Sequence, residues 1–311
     1  MAAGTRAAYA LLLVSPLFFS ANMLTARAVH GTIPPVALAF WRWTLTLIFL
    51  LPYAAADLKR SWRSLAREWR TLLLLGALGM GVCGAPVYLG AETTTATNIG
   101  LIYAASPVLI VVFAWAFWGE SVSLRQAIGI ALCLGGVLVL IARADIRVLR
   151  DLDFVSGDLL IVAAMAAWAL YSVLLKHRPS RLNVTVRFIG IVIGGVAVML
   201  PFYGLELTMG GRASFDTRTV GVFLFLAIVP GLMAYLSYSW LVARLGPSRT
   251  GLLLYLSPVY NAGLAYVLLG EELHPYHLAG TALILPGLWL ATVAGRRAAA
   301  DRPVAAEAPE S

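Results

Sequence analysis

The sequence predicts an all-α, polytopic membrane protein whose ten transmembrane helices form two inverted five-helix repeats. Three observations carry this expectation. The 311 residues are 60% hydrophobic and only 12% charged, and the apolar residues fall into runs of roughly 20, the length that crosses a hydrocarbon core. The stretch from Asn98 to Ala142 recurs 151 positions later without a gap, with 13 identities over 45 aligned positions. Gly100, Leu101, Ser106, Pro107, Val108, Gly119, Glu120, Gly129 and Gly136 return as Gly251, Leu252, Ser257, Pro258, Val259, Gly270, Glu271, Gly280 and Gly287. Finally, five spans per half is an odd number, so the second copy enters the bilayer from the opposite side.

A large soluble helical core is the competing reading of such a composition. It needs polar helix faces, and most of these runs have none. Ten spans are expected near residues 7–28, 34–56, 71–91, 97–118, 124–142, 158–176, 184–205, 218–242, 249–269 and 276–294. Each covers a core about 30 Å thick at about 1.5 Å per residue.

The first span carries Arg6, an apolar stretch and Ala26-Arg27-Ala28, the outline of a cleavable signal peptide. The run is too long for an ordinary signal core, and its loss would leave the first half a helix short. In the third span Gly76, Gly79, Gly81 and Gly84, and in the seventh Gly190 and Gly194, allow close helix approach. Ser123 followed by Gln126 is a capping box for the fifth span, and Pro275 suits the first turn of the tenth. The segment from Arg143 to Gly157 is too short for a separate domain. The chain therefore divides into residues 1–145, residues 146–295 and a tail, 296–311, of small and charged residues expected to be disordered.

The formal net charge of +8 reflects orientation in a bilayer rather than nucleic-acid binding. With a cytoplasmic N-terminus, sixteen basic residues fall on the cytoplasmic side, among them Lys59, Arg60, Arg63, Arg67 and Arg70. Six fall outside, and Arg42 lies within a span. Both termini are therefore placed in the cytoplasm. Arg outnumbers Lys heavily, as in GC-rich bacterial genomes, and the expected setting is a bacterial inner membrane. Cys83 and Cys133 lie within apolar runs with no CxxC spacing and read as small core residues. The Asn183-Val184-Thr185 sequon falls on the cytoplasmic side, where it has no use.

Candidate transport residues come from polar and aromatic groups within the spans. Pro107 and Pro258, each after a serine (Ser106, Ser257), lie about nine residues into their helices, near 13 Å deep at about 1.5 Å per residue. Each removes a backbone donor, so it kinks its helix and frees a carbonyl for packing or for a ligand. Trp168 and Tyr171, and Tyr235 and Tyr238, stand three apart, which places each pair on one helix face. Together with Tyr103 and Tyr255 beside the prolines, they can wall a cavity, pack the core or form interfacial belts. Trp168 is too deep for a belt, whereas Tyr88, Trp41 and Trp118 sit nearer the ends. Asn22, Arg42, Ser239 and Asn261 are further polar candidates within spans. Arg42 either serves function or snorkels outward beside Trp41 and Trp43.

Acidic groups are absent from the middle of every expected span. Glu92, Glu120, Glu206, Glu271 and Glu272 sit at ends, as do His30, His177, His274 and His277, at ends or in loops. A buried carboxylate relay is unsupported, and facilitated or weakly coupled flux is expected. No HExxH, GxSxG or acidic metal cluster argues for an intramembrane enzyme, and a passive scaffold needs no inverted halves.

Ten helices in two halves, each with a Gly-Leu start, Pro-Val, and a close on Trp118-Gly119-Glu120 or Leu269-Gly270-Glu271, resemble the EamA family of the drug/metabolite transporter superfamily. The Phe40-Trp41-Arg42-Trp43 stretch is similar to that family's Phe-x-Arg pattern. The resemblance covers nearly the whole chain apart from the tail and implies export of amino acids, other metabolites or drugs. Trp168-Ala169-Leu170-Tyr171 resembles a Trp-Ala-x-Tyr stretch of the family's aromatic amino-acid exporters, which implies a cavity role for Trp168 and an amino-acid-sized, partly apolar solute. The expected partners are that solute and the lipid bilayer, with no cofactor and no nucleic acid, for a monomer or weak oligomer.

Overall fold

The computed structural model describes residues 2–29, 31–94, 99, 102–143, 145–150, 155–269 and 274–293. The repeat residues Asn98, Gly100, Leu101, Gly270 and Glu271, together with Glu272, His30 and the tail, lie outside the described residues. The first span is Ala2–Ala28, the fourth ends in Ser106–Trp118, the fifth is Leu124–Ile141 and the sixth Ser156–His177. The seventh is Val184–Thr208, the ninth ends in Ser257–Leu269, and the tenth is Pro275–Val293. Ser123 Oγ accepts from the Gln126 N–H at 3.2 Å, the cap expected for the fifth span. A short helix, Ile146–Arg150, occupies part of the connection between the halves.

The second and third spans differ from expectation. One helical run, Pro35–Gly76, takes in the second span, the basic connection and the start of the third. Residues 57–70 contain no Gly or Pro and are rich in Leu, Arg, Lys, Ala and Glu, so nothing in the connection stops helical hydrogen bonding. Straight, these 42 residues would extend about 63 Å at about 1.5 Å per residue, but their partners show that the chain folds back. The N–H groups of Val36 and Ala37 donate to the Glu206 carboxylate at 2.9 and 2.6 Å, at the end of the seventh span. Asn183, at the start of that span, donates to Asp57 at 3.3 Å. Glu68 then accepts from Ser180 Oγ and the Arg181 N–H at 2.6 and 3.0 Å, and Gly76 meets the backbone of Gly195. The second span thus descends beside the seventh and the third climbs back along it.

Glycine pairing between the fifth and tenth spans demonstrates the inversion. A Cβ on Gly129 would lie 2.6 Å from the Gly287 carbonyl oxygen, and one on Gly136 would lie 2.6 Å from that of Gly280. Gly129 and Gly280 are repeat equivalents, as are Gly136 and Gly287, so each glycine meets the equivalent of the other. Only antiparallel helices related by a two-fold axis across their length meet in that way, and that axis lies in the membrane plane.

Helix interruptions obey the same offset. A π-helical segment widens the third span at Ala77–Val82, and another widens the eighth at Ala227–Met233, between Thr217–Leu226 and Ala234–Leu245. The fourth span turns at Ala105 and restarts at Ser106. The ninth runs from Pro247–Gly251 through a 3₁₀ turn, Leu252–Leu256, and restarts at Ser257. Pro107 and Pro258 therefore lie in first turns, where no N–H is required. The sequence pointed to kinks at both prolines; the structure has a turn at Ala105 before Pro107 and a 3₁₀ stretch, Leu252–Leu256, before Pro258.

Candidate functional site

The interrupted helices surround a cavity of about 160 Å³ between the halves. An engineered apolar cavity of about 150 Å³ accepts benzene, so this one has the scale of a small organic solute. Nine of the residues singled out from sequence reach its wall: Asn22, Arg42, Tyr88, Tyr103, Trp168, Tyr235, Tyr255, Ser257 and Pro258.

Arg42 is the organising charge. The residue is 4% exposed, and its side chain turns inward rather than snorkelling. Nη1 donates to Asn22 Oδ1 at 3.0 Å and to Tyr88 Oη at 3.4 Å, and Nη2 donates to the Pro230 carbonyl at 2.8 Å. Tyr88 Oη donates to the same Asn22 oxygen at 2.9 Å. The guanidinium also lies 4.6 Å from the Trp43 ring centre and 5.7 Å from that of Tyr235. The π segments explain these partners, since such widening frees carbonyls from the helical ladder. Pro230 offers its oxygen to Arg42, and Ala227 offers its own to Thr46 Oγ1 at 2.9 Å. In the other half Tyr235 Oη donates to the Gly79 carbonyl at 2.9 Å. Gly79 and Pro230 are 151 positions apart, so equivalent carbonyls each bind a side chain from the opposite half.

Aromatic rings line the same cavity, Tyr235 beside the guanidinium. Trp168 stands edge to face with Tyr235 at 5.4 Å and with Phe19 at 5.7 Å, a favourable arrangement for rings. Among the buried side-chain polar atoms without a protein partner are Trp168 Nε1, Tyr255 Oη and Arg42 Nε, all on residues of the cavity wall. Such groups are costly to bury unsatisfied.

Five candidates lie elsewhere. Tyr171 packs its ring over Gly79, where a Cβ would come within 2.8 Å of it. Tyr238 Oη donates to Ser172 Oγ at 2.7 Å, and Ser239 lines a separate hollow of about 30 Å³. Tyr171 and Tyr238 share faces with Trp168 and Tyr235, as their spacing demanded, but one turn along, the halves are packed shut. Ser106 is fully buried with its hydroxyl unpartnered, and Pro107 is buried in the same first turn; neither joins the wall. The side chain of Asn261 lies outside the described residues.

At the face carrying the N-terminus, Glu120 bridges the halves. It accepts from Ser248 Oγ and meets His177 Nε2, both at 2.9 Å, and the imidazole stacks on Trp118 at 4.9 Å. At the other face Thr94 donates to Asp158. Glu120 was read as a helix-end group; its partners are on the sixth and ninth spans.

The family model for EamA-like transporters matches residues 6–142 and again 155–293. The chain belongs to the EamA-like transporter family. It is a multi-pass membrane transporter, and membrane and small-molecule solute are its implied partners. This EamA-like chain is 24% identical over 290 residues to the uncharacterized transporter YyaM of Bacillus subtilis, covering 91% of this chain and 93% of that protein. It is 27% identical over 244 residues to a probable terminal-alkyne amino-acid exporter of Streptantibioticus cattleyicolor, covering 78% and 80%. A crystal structure matches its fold with a TM-score of 0.76 at 21% identity, over 94% of this chain and 99% of that one.

Sequence reasoning missed several wall residues of this EamA-like transporter, namely Phe19, Cys83, Val87, Ala104, Val137 and Leu254. Cys83, read as core, fronts the cavity with its thiol donating to the Ala164 carbonyl at 3.2 Å. One signal was available: Ala104 and Leu254 are the repeat equivalents of Tyr255 and Tyr103. Applying the 151-residue offset to each candidate finds them.

Proposed function

We propose that this transporter exports amino-acid-sized, partly apolar metabolites by alternating access, the two halves rocking about the cavity between them. It operates in a bacterial inner membrane with both termini cytoplasmic, as a monomer or weak oligomer. The functional units are residues 1–145 and 146–295, with 296–311 a cytoplasmic tail. The observation that carries the reading is the cavity itself: it lies between inverted halves, walled by Trp168, Tyr235 and Phe19 together with Arg42 and Asn22. The name of the Streptantibioticus relative, a probable terminal-alkyne amino-acid exporter, supports it. Broken helices beside the cavity supply the backbone carbonyls and loosened packing that such motion uses.

The test is counterflow of labelled phenylalanine in proteoliposomes by wild type and Trp168→Ala. The variant should insert and migrate as wild type while uptake falls tenfold or more. Wild-type rates in that variant remove Trp168 from the site, and absence of flux for every amino acid in a competition screen removes the amino-acid reading.

A further inference from the structure

We infer that Arg42 is the receptor for a carboxylate on the transported solute, which makes the substrate class small carboxylates with an apolar remainder. This rests on the exporter reading above and narrows it. Arg42 is 4% exposed, yet each of its hydrogen-bond partners among the described residues is neutral: an amide oxygen, a phenol and a backbone carbonyl. No Asp or Glu among the described residues lines the cavity. A cation taken out of water without a counter-charge is costly, and a carboxylate entering the cavity relieves that cost with a short, charge-assisted pair.

The guanidinium also has capacity in reserve. Among the described residues Nε has no partner, and Nη2 is engaged only by the Pro230 carbonyl. A planar carboxylate spanning Nε and one terminal nitrogen satisfies the orphan donor in the side-by-side geometry that arginine favours. Asn22 and Tyr88 hold the group in place from the other edge. The aromatic part of the wall defines the rest of the solute: Phe19, Trp168 and Tyr235 offer ring faces and edges to an apolar chain or aromatic ring, and the unpartnered Trp168 Nε1 offers a donor to a second polar group. An amino group has no carboxylate to meet here. It rests against ring faces, so it is tolerated rather than required.

Binding at Arg42 has a mechanical consequence. Arg42 belongs to the first half and Pro230 to the second, so a carboxylate that draws the guanidinium to itself competes for one of the hydrogen bonds joining the halves.

The experiment measures binding by quenching of tryptophan fluorescence in purified full-length protein, with four probes: phenylalanine, 3-phenylpropionate, phenylalaninamide and phenethylamine. Chloride, sulfate and phosphate serve as inorganic anions. Wild type should bind the two carboxylates at least tenfold more tightly than the amide and the amine, with inorganic anions competing weakly. In Arg42→Gln that preference should disappear, and Arg42→Lys should restore part of it. If wild type binds amide and amine as well as the acids, or if phosphate or sulfate binds as tightly as 3-phenylpropionate, the carboxylate assignment is wrong while the exporter reading stands. Should none of the four organic probes bind or be transported, both readings fail together. The comparison among probes on wild type decides the question even if Arg42→Gln does not fold.

Discussion

Removing one oxygen atom tests whether the halves are tied through the cavity wall. Tyr235→Phe keeps the ring, and with it the contacts to Trp168, Trp43 and Phe19 at 5.4, 4.6 and 5.9 Å, but deletes the 2.9 Å hydrogen bond to the Gly79 carbonyl. That carbonyl lies in the π segment Ala77–Val82, and its bond to Tyr235 crosses from one half to the other. A buried hydrogen bond contributes about 1 kcal/mol net in solution, and hydrogen bonds within membrane proteins average about 0.6 kcal/mol with a maximum near 1.7. Taking about 1 kcal/mol for a bond present in only one of two states, its loss shifts the equilibrium between them about fivefold. The assay is electron-electron distance measurement between spin labels at opposite faces, in nanodiscs. Two distance populations should exchange weight about fivefold away from the arrangement described here, with little change in thermal stability of the fold. Unchanged populations would mean that Tyr235 and Gly79 move as one body, and that the wall does not part there.

Two further outcomes are expected. Gly129→Leu would place side-chain atoms where the Gly287 carbonyl oxygen and Ala291 now lie, so the fifth and tenth spans should separate and the yield of monodisperse protein in detergent should fall several-fold; normal yield would show that this seam tolerates separation. Flux should persist in proteoliposomes without a pH gradient, because no acidic residue among the described residues reaches the cavity; strict dependence on a gradient would require a proton carrier other than a carboxylate in the wall.

The spans were legible because the bilayer imposes length and apolarity on each, and the repeat was legible because Ser-Pro-Val and Gly-Glu return at one offset. The helical continuity of residues 57–70 was hidden, since a basic, polar connection reads as loop on hydropathy and only its lack of Gly and Pro hints at helix. The π segments were also hidden: Pro230 lies in one of them while the equivalent Gly79 in the other carries no such mark. Among candidate residues, helix-face arguments gathered Trp168 with Tyr171 and Tyr235 with Tyr238, but could not say at which turn the cavity ends. That depends on the depth at which the two halves close, a property of the assembled bundle.

A duplicated backbone raises the question of how a single site becomes asymmetric. The repeat offset carries Arg42 to Ile193 and Tyr235 to Gly84, so neither polar group has a counterpart in the other half. The equivalent carbonyls of Gly79 and Pro230 therefore receive different donors, a neutral phenol in one case and a cation in the other. The symmetric helix interruptions provide two matching frames for motion, and among the described residues the unmatched side chains give the cavity a single cation, Arg42, beside aromatic rings. A solute with one anionic end and one apolar end binds in a single orientation in such a chamber. Ile193 is 45% exposed and outside the cavity wall, whereas Arg42 is 4% exposed and within it, so adding Ile193→Arg to Arg42→Ile should leave carboxylate binding lost; its return in the double variant would refute the placement of the anionic end at Arg42.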